Sequence, residues 1–282
     1  MLMIPFLVLL ALAPVAAVVW YVYAKDKHEK EPTKLLITCF ALGVISIVPA
    51  LFGSELGISL GLEESGNIVG TFLFAFFAVA LPEELAKFIF LRYYIFPKKD
   101  FNEPYDGIIY AVMIGMGFAA FENIIYVLQG GWQIGFLRMF TAVPAHAVFG
   151  AMMGYYVGLA KMNSSRSQRN GQLAKGLGIA VVLHGLYDFF LFQQKIEVLG
   201  LMSFILLLLG IRYTQKAIAV HQQVSPFSAQ NIALQQQQQE QEQIKANPEL
   251  SSEWQTVLIS TNELSPPTIQ ADIIDDDEQI II

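Results

Sequence analysis

The chain has 282 residues, of which 55% are hydrophobic and 15% are charged, and its mean hydropathy is +0.50. Soluble domains carry about 25% charged residues, so this composition argues against a single water-soluble core and favours a lipid bilayer as solvent. The net charge of −7 is concentrated in residues 221–282, which hold ten acidic residues and one basic residue. No basic, aromatic cluster indicates nucleic-acid binding, and the single cysteine, Cys39, excludes an internal disulfide.

Seven apolar stretches follow one another along the chain. Most approach the roughly 20 residues that a helix needs to cross the hydrocarbon core, and no alternating pattern is long enough for a β-barrel. We therefore predict an all-α, polytopic transmembrane helix bundle of about seven spans. The predicted spans cover residues 2–23, 35–53, 67–97, 107–129, 136–160, 173–192 and 196–213.

Basic residues are distributed unevenly among the loops. Two of them, Arg138 and Lys195, fall on one side of the predicted membrane, and thirteen fall on the other. By the positive-inside rule the thirteen face the cytoplasm, so the N-terminus lies outside and the C-terminus inside. The first span lacks the basic start of a signal peptide, so we expect an uncleaved anchor. The thirteen are Lys25, Lys27, Lys30, Lys34, Arg92, Lys98, Lys99, Lys161, Arg166, Arg169, Lys175, Arg212 and Lys216.

The composition changes after the seventh span. Residues 221–282 contain five consecutive glutamines, Gln235–Gln239, and the acidic run Asp275–Glu278. Such a sequence cannot build a packed core, so we predict a disordered, glutamine-rich, acidic cytoplasmic tail. A short helix near 228–246 is compatible with the sequence. Residues 1–220 are assigned to the membrane bundle.

The third span contains two adjacent glutamates, Glu83 and Glu84, preceded by Pro82 and followed by Lys87. A charged side chain in the bilayer core costs about 2.5–3.5 kcal/mol even on lenient scales. Lys87 can reach either glutamate along the helix. A structural ion pair would use one of them and leave the other without a partner.

Further polar residues lie in three other spans. The fourth contains Glu122 and Asn123, the fifth contains His146, and the sixth contains His184 and Asp188, which share a helical face. At 1.5 Å per residue, Glu122 and both histidines lie roughly 10–15 Å below the outer surface, and the glutamates of the third span lie slightly deeper. Four helices therefore bring acids, bases and ligands to one depth.

This set of residues suits peptide hydrolysis in the membrane, which needs a held water, a general base and donors for the oxyanion. Alternatively, glutamate and histidine could hold a zinc ion that activates the water. No HExxH motif is present, and the residues alone leave metal and metal-free activation open. Two other classes also remain: an ion- or proton-coupled secondary transporter and a non-catalytic membrane scaffold.

The ordered motifs resemble the PrsW family of bacterial membrane proteases, which is related to the type II CAAX prenyl endopeptidases and to bacteriocin-processing enzymes. The resemblance covers roughly residues 1–215 and leaves the glutamine-rich tail outside. The motifs are Tyr21 to Asp26, Glu29-Lys30-Glu31-Pro32, Glu83-Glu84-x-x-Lys87, Tyr105-Asp106-Gly107-Ile108-x-Tyr110, Gly117-Phe118-Ala119-x-x-Glu122-Asn123, His146 and His184-Gly185-Leu186-Tyr187-Asp188.

The resemblance implies an endopeptidase of the bacterial cytoplasmic membrane that cleaves a membrane protein, with regulated site-1 cleavage of an anti-sigma factor as the family's theme. It implies that Glu83 or Glu84 activates water and that His146 and His184 assist or stabilise the oxyanion. Glu122 stands where relatives have a histidine. Glu122, His146 and His184 are the candidate ligands of a divalent metal such as zinc. Lys87, Asn123 and Asp188 are expected to support the site.

Overall fold

The computed structural model describes residues 3–64, 67–193 and 197–246, and every regular element in these ranges is helical. This confirms the predicted all-α fold. Two short π-helical segments, Phe74–Ala80 and Leu91–Ile95, occur in the third span. The α-helices are α1 (Met3–Lys25), α2 (Thr33–Ile45), α3 (Ile47–Ser59), α4 (Ile68–Leu73), α5 (Leu81–Phe90), α6 (Pro104–Phe140), α7 (Ala142–Met162), α8 (Arg166–Leu191), α9 (Glu197–Gln223) and α10 (Ala229–Ala246).

Six helical segments in the described ranges are long and apolar enough to cross a membrane, which confirms a polytopic membrane protein. One of them, Pro104–Met162, has 59 residues. As a straight rod it would extend about 88 Å at 1.5 Å per residue, far more than the roughly 30 Å of hydrocarbon. It therefore holds more than one crossing. The count of seven spans and the orientation remain predictions.

Helix α6 folds back on itself at Gly131, where φ is 76° and ψ is −169°. This positive φ favours glycine, because a Cβ would be strained there. The two arms then run antiparallel, and Arg138 Nε donates to Asn123 Oδ1 across the hairpin at 2.8 Å. Helix α7 continues along the first arm of α6. A Cβ added to Gly107 or Gly154 would collide with the other helix's backbone, so the two helices meet main chain to main chain.

Pro82 shapes the third span without ending it. Proline has no N–H group, and its ring collides with the carbonyl group four residues earlier, which here belongs to Ala78. The chain widens into the π-helical segment Phe74–Ala80 and then resumes as α5, with Pro82 in its first turn. The helix is therefore altered before the glutamates in the form of a π-helical segment.

Four buried carboxyl groups surround the beginning of α6, and we refer to them as the helix-start cluster. Their hydrogen-bond partners are mainly backbone N–H and hydroxyl groups. Asp106 Oδ2 accepts the N–H groups of Asn102 and Glu103 at 2.7 and 2.8 Å. The Tyr110 hydroxyl donates to Glu31. The cluster consists of Asp26, Glu31, Glu103 and Asp106, which are 1%, 4%, 1% and 0% exposed.

The end of α9 packs against the rest of the bundle. His221 is fully buried and stacks on Tyr155, with 4.3 Å between ring centres. Gln222 donates a hydrogen bond to the Lys25 carbonyl, and the buried Ser225 hydroxyl donates to Glu103 of the helix-start cluster.

The compact unit that contains these residues extends to Ser228, eight residues beyond the predicted boundary, and a second unit begins at Ala229. Helix α10 occupies the stretch where a short helix was compatible with the sequence. The acidic run Asp275–Glu278 lies outside the described residues, as does all of 247–282. The boundary at 220 and the disordered tail stay predictions.

Candidate active site and metal centre

The two adjacent glutamates of α5 have different surroundings. Glu84 is fully buried, and its Oε1 atom lies 2.7 Å from Lys87 Nζ and 2.9 Å from His184 Nδ1. The Glu83 side chain is 14% exposed, and its Oε2 atom lies 3.6 Å from Lys87 Nζ. That oxygen finds no hydrogen-bond partner among the described residues. Glu84 Oε1 thus has two close partners, whereas Glu83 Oε2 has only the longer contacts with Lys87 and, at 4.0 Å, with His184 Nε2.

Each histidine has a carboxylate partner at Nε2, and His184 has a second one, Glu84, at Nδ1. His184 Nε2 lies 3.1 Å from Asp188 Oδ2, one turn further along α8. His146 Nε2 lies 2.9 Å from Glu122 Oε2. In each ring the other nitrogen, Nδ1, faces α5, and that of His146 lies 3.3 Å from Lys87 Nζ. A carboxylate that holds one ring nitrogen fixes the orientation of the ring and which nitrogen carries the proton.

A cavity of about 150 Å³ adjoins these groups. Phe149 stacks on the His184 ring with 4.7 Å between ring centres, and Lys87 Nζ lies 4.1 Å from the centre of the Phe118 ring. Such apolar walls strengthen the electrostatic interactions between the polar groups. The cavity is lined by Val79, Glu83, Glu122, Tyr126, Arg138, Ala142, Ala145, His146, Phe149, His184, Tyr187, Asp188, Leu191 and Phe192.

The donor set fits a divalent cation. Glu83, Glu84, His146 and His184 each offer one ligand atom, and these atoms lie within 4.8 Å of one another. Two imidazoles with one or two carboxylates are a common ligand set for zinc. The unpaired Oε2 atoms of both glutamates add free acceptors, and both histidines have the carboxylate partner typical of ligating histidines. The Lys87 ammonium group lies between Glu84 and His146 and contacts both.

The structure brings all five predicted catalytic residues together around this cavity and the adjoining ion pairs. Glu122 differs from the other four, because it contacts His146 on the side away from α5 and stands outside the group of converging ligand atoms. The three supporting residues are also in contact with the site. Lys87 bridges the glutamates, Asp188 holds His184, and Asn123 accepts a hydrogen bond from Arg138.

Arg138 is the main member of the site that the sequence did not reveal, since its position assigns it to the outer loops. Its Nη2 atom donates to Glu122 Oε2 at 2.8 Å, and only 15% of its side chain is exposed. The Gly130-Gly131 pair was the available signal, because two adjacent glycines indicate a turn. A hairpin closed there sets residue 138 opposite 122 and 123.

The chain is similar to known proteins over more than half of its length. The family model described as the PrsW family intramembrane metalloprotease matches residues 31–211. Protease PrsW of Oceanobacillus iheyensis is 38% identical over 180 residues, which are 64% of this chain and 80% of that protein. Protease PrsW of Bacillus subtilis is 32% identical over 212 residues, which are 74% of this chain and 94% of that protein. No solved structure matches the chain.

The family match includes α5, α6, α7 and α8, which carry every residue of the site. It also confirms the resemblance seen in the ordered motifs, and it decides between the enzyme and the two alternatives, the transporter and the scaffold. The chain belongs to the PrsW family of intramembrane metalloproteases, and it is a multi-pass membrane peptidase.

Proposed function

We propose that Glu83 is the general base that activates the hydrolytic water. The observation that carries this assignment is the position of Glu83, whose side chain lines the cavity with an Oε2 atom that makes no hydrogen bond, whereas Glu84 is not among the cavity-lining residues. Glu84 is the poorer candidate, because its Oε1 atom contacts Lys87 and His184 and its side chain is fully buried. A base must lie within hydrogen-bond reach of the proton that it removes, and a cavity of this size has room for a few water molecules.

His146, His184 and Glu84 would hold a divalent cation, for which zinc is the best match to the donor types. A cation bound there supplies Lewis-acid polarisation of the peptide carbonyl and lowers the pKa of its bound water. The histidines would offer Nδ1 to the cation, because Glu122 and Asp188 hold Nε2. Glu83 removes the water proton as the oxygen attacks the carbonyl carbon, and it later delivers that proton to the leaving amine nitrogen.

The substrate would be a membrane protein, cut close to the membrane or within it. The side chains of the site lie on helices that are apolar enough to span a bilayer, and a polar cavity surrounded by such helices admits a peptide that is itself in the bilayer. We place the enzyme in the cytoplasmic membrane of a bacterium, and single-span regulatory proteins of the anti-sigma factor type are the first substrates to test.

The assignment of Glu83 is tested with purified full-length protein and candidate single-span membrane proteins. Glu83→Gln keeps size and hydrogen bonding but removes the base, so turnover should fall by at least about 10²-fold. Glu55→Gln and Glu63→Gln, at exposed positions, are the controls and should retain activity. Full activity of Glu83→Gln would contradict the role of the base.

The cation is tested separately by metal analysis of the purified protein and by chelation. We expect about one zinc per chain, loss of activity on chelation and recovery on zinc addition. A double variant, His146→Ala with His184→Ala, should bind no zinc. Full proteolysis by protein that has been shown to be metal-free would contradict the cation site and leave the role of Glu83 intact.

A further inference from the structure

Arg138 reaches the site from the second arm of the α6 hairpin. The fold back at Gly131 carries it to the cavity, opposite one turn of the first arm. Its side chain is largely buried, and a buried guanidinium group among membrane helices is costly unless it is paired. Its ion pair and hydrogen bonds must therefore offset the cost of burial. These contacts either serve stability alone or also affect the candidate site.

The guanidinium group is fixed from several directions. Nη2 donates to Glu122 Oε2 and Nε donates to Asn123 Oδ1, both at 2.8 Å. Its central carbon lies 4.1 Å from the centre of the Tyr126 ring, a cation–π contact. Asn123 is itself held, because its Nδ2 atom donates to the Ala11 carbonyl of α1 at 2.8 Å. The planar guanidinium group of Arg138, held by these contacts, has little freedom to rotate.

One oxygen atom connects this arrangement to the histidine. Glu122 Oε2 accepts from Arg138 Nη2 at 2.8 Å and lies 2.9 Å from His146 Nε2. As long as this oxygen accepts, His146 keeps its proton on Nε2, and the lone pair of Nδ1 faces α5, where Lys87 Nζ lies 3.3 Å away. Without Arg138, the Glu122 carboxylate loses the hydrogen bond that holds it from the side opposite His146. It is then free to rotate away from the His146 ring.

We infer that Arg138 is a positioning residue, which acts through Glu122 to keep the His146 proton on Nε2 and its Nδ1 atom facing the Glu83–Glu84 pair. The inference rests on the proposed role of His146 as a ligand. Within the described part of the chain, the polar contacts of Arg138 go to Glu122 and Asn123 and not to the four converging ligand groups. Its effect reaches them along the chain Arg138, Glu122, His146.

Nitrogen-15 spectra of the histidine rings test this in the metal-free full-length protein at neutral pH. The chain has only four histidines, so single substitutions assign each signal. The wild type should show His146 protonated at Nε2. Arg138→Lys keeps a cation beside Glu122 and should retain that signal. Arg138→Gln should replace it with a mixture of tautomers, while the His184 signals stay unchanged because Asp188 holds that ring independently.

Kinetics and zinc affinity supply the second measurement. Arg138→Gln should lower kcat and zinc affinity by about 10–100-fold, the usual cost of losing a group that orients a ligand, and Arg138→Lys should recover most of both. Arg166→Gln, at an exposed position on α8, is the matched control. A purely structural ion pair would lower the melting temperature of Arg138→Gln but leave its His146 signal as in the wild type.

An unchanged His146 signal in Arg138→Gln would therefore overturn the inference. Failure of the proposed function has a different signature, since it would appear as full activity of Glu83→Gln or of metal-free protein while the histidine spectra still respond to Arg138. The spectra need neither a substrate nor a bound metal, so the inference can be decided without either.

Discussion

The first arm of α6 passes through two buried polar clusters that neutralise their carboxyl groups in opposite ways. Around Glu122, the carboxyl groups face Lys87, Arg138 or an imidazole ring. Around Asp106, sixteen residues earlier or about 24 Å along the helix, the helix-start cluster relies on backbone N–H groups and hydroxyl groups. Matched cations let carboxylates stay ionised, whereas a cluster with few cations must hold protons.

The pKa values of the helix-start cluster reflect this difference. Burial, together with the hydrogen-bonded Asp106, raises the pKa of Glu31 to about 10. Burial also raises the pKa of Glu103 to about 7, against the opposing effect of its hydrogen bond with Ser225. Glu31 is therefore protonated at neutral pH. Burial of a glutamate alone therefore does not distinguish the candidate site in this protein, whose glutamates differ from those of the helix-start cluster in lying beside cations and imidazole rings.

Among the glutamine substitutions that compare the two clusters, we expect the largest effect at Glu84. Glu84→Gln leaves Lys87 and His184 without their carboxylate, and breaking a buried ion pair costs about 3–5 kcal/mol. We expect a large drop in melting temperature in detergent and at least about 10²-fold loss of turnover. Exposed Glu55→Gln is the control. Wild-type stability of Glu84→Gln would mean that the ion pair with Lys87 contributes nothing.

Truncation tests the connection between the helix-start cluster and the end of α9. Ending the chain after Val220 removes His221, Gln222 and Ser225, and should cost roughly 2–4 kcal/mol through lost packing and unpaired polar groups. Ending it after Ser228 keeps these contacts and should leave both stability and cleavage unchanged. Loss of activity in a stable protein truncated after Ser228 would show that the tail takes part in catalysis.

Stability should depend on pH through Glu103. Its pKa of about 7 in the folded protein lies above the ordinary value of 4.5, so the folded state binds the proton more tightly than the unfolded state. Stability is then highest below pH 4.5 and falls as the pH rises through 7, by on the order of 1–3 kcal/mol. Glu103→Gln should flatten this slope in melts between pH 5 and 8. A slope identical to that of the wild type would exclude Glu103 as its source.

The smallest effect is expected at Glu31. Because this carboxyl group is already neutral at pH 7, glutamine resembles it in both charge and shape and can still accept the hydrogen bond from Tyr110. Glu31→Gln should change the free energy of unfolding by less than about 1 kcal/mol, with turnover as in the wild type. A loss as large as that of Glu84→Gln would show that Glu31 is ionised and that the contrast between the clusters is wrong.

The sequence predicts those features of the candidate site that depend on the length of each apolar stretch and on the position of a residue within it. Span positions follow from apolar length, and helix rise alone brings Glu83, Glu122, His146 and His184 to similar depths in the membrane. The rotation of each helix about its own axis, which decides the direction of its side chains, cannot be predicted from these two quantities. The choice between Glu83 and Glu84 as the free carboxylate depends on how α5 is turned relative to α8, which depth alone does not determine.

Arg138 and the helix-start cluster were missed for a related reason. A basic residue near a predicted loop is normally read as a marker of topology, and only the hairpin at Gly131 turns Arg138 inwards. Glu31 and Glu103 lie between spans, where acidic residues are usually solvated. Glu103 is covered by the end of α9, which comes from a distant part of the sequence, and Glu31 is bound by Tyr110 of α6.

The π-helical segments on both sides of α5 have a consequence for changes in chain length. A π-helical turn closes over one residue more than an α-helical turn, so it can absorb an insertion without breaking the helix. Deleting one residue from Phe74–Ala80 would let the segment close as ordinary α-helix. The span can thus gain or lose a residue at Phe74–Ala80 or Leu91–Ile95 while α5, which lies between them and carries Glu83 and Glu84, keeps its own sequence.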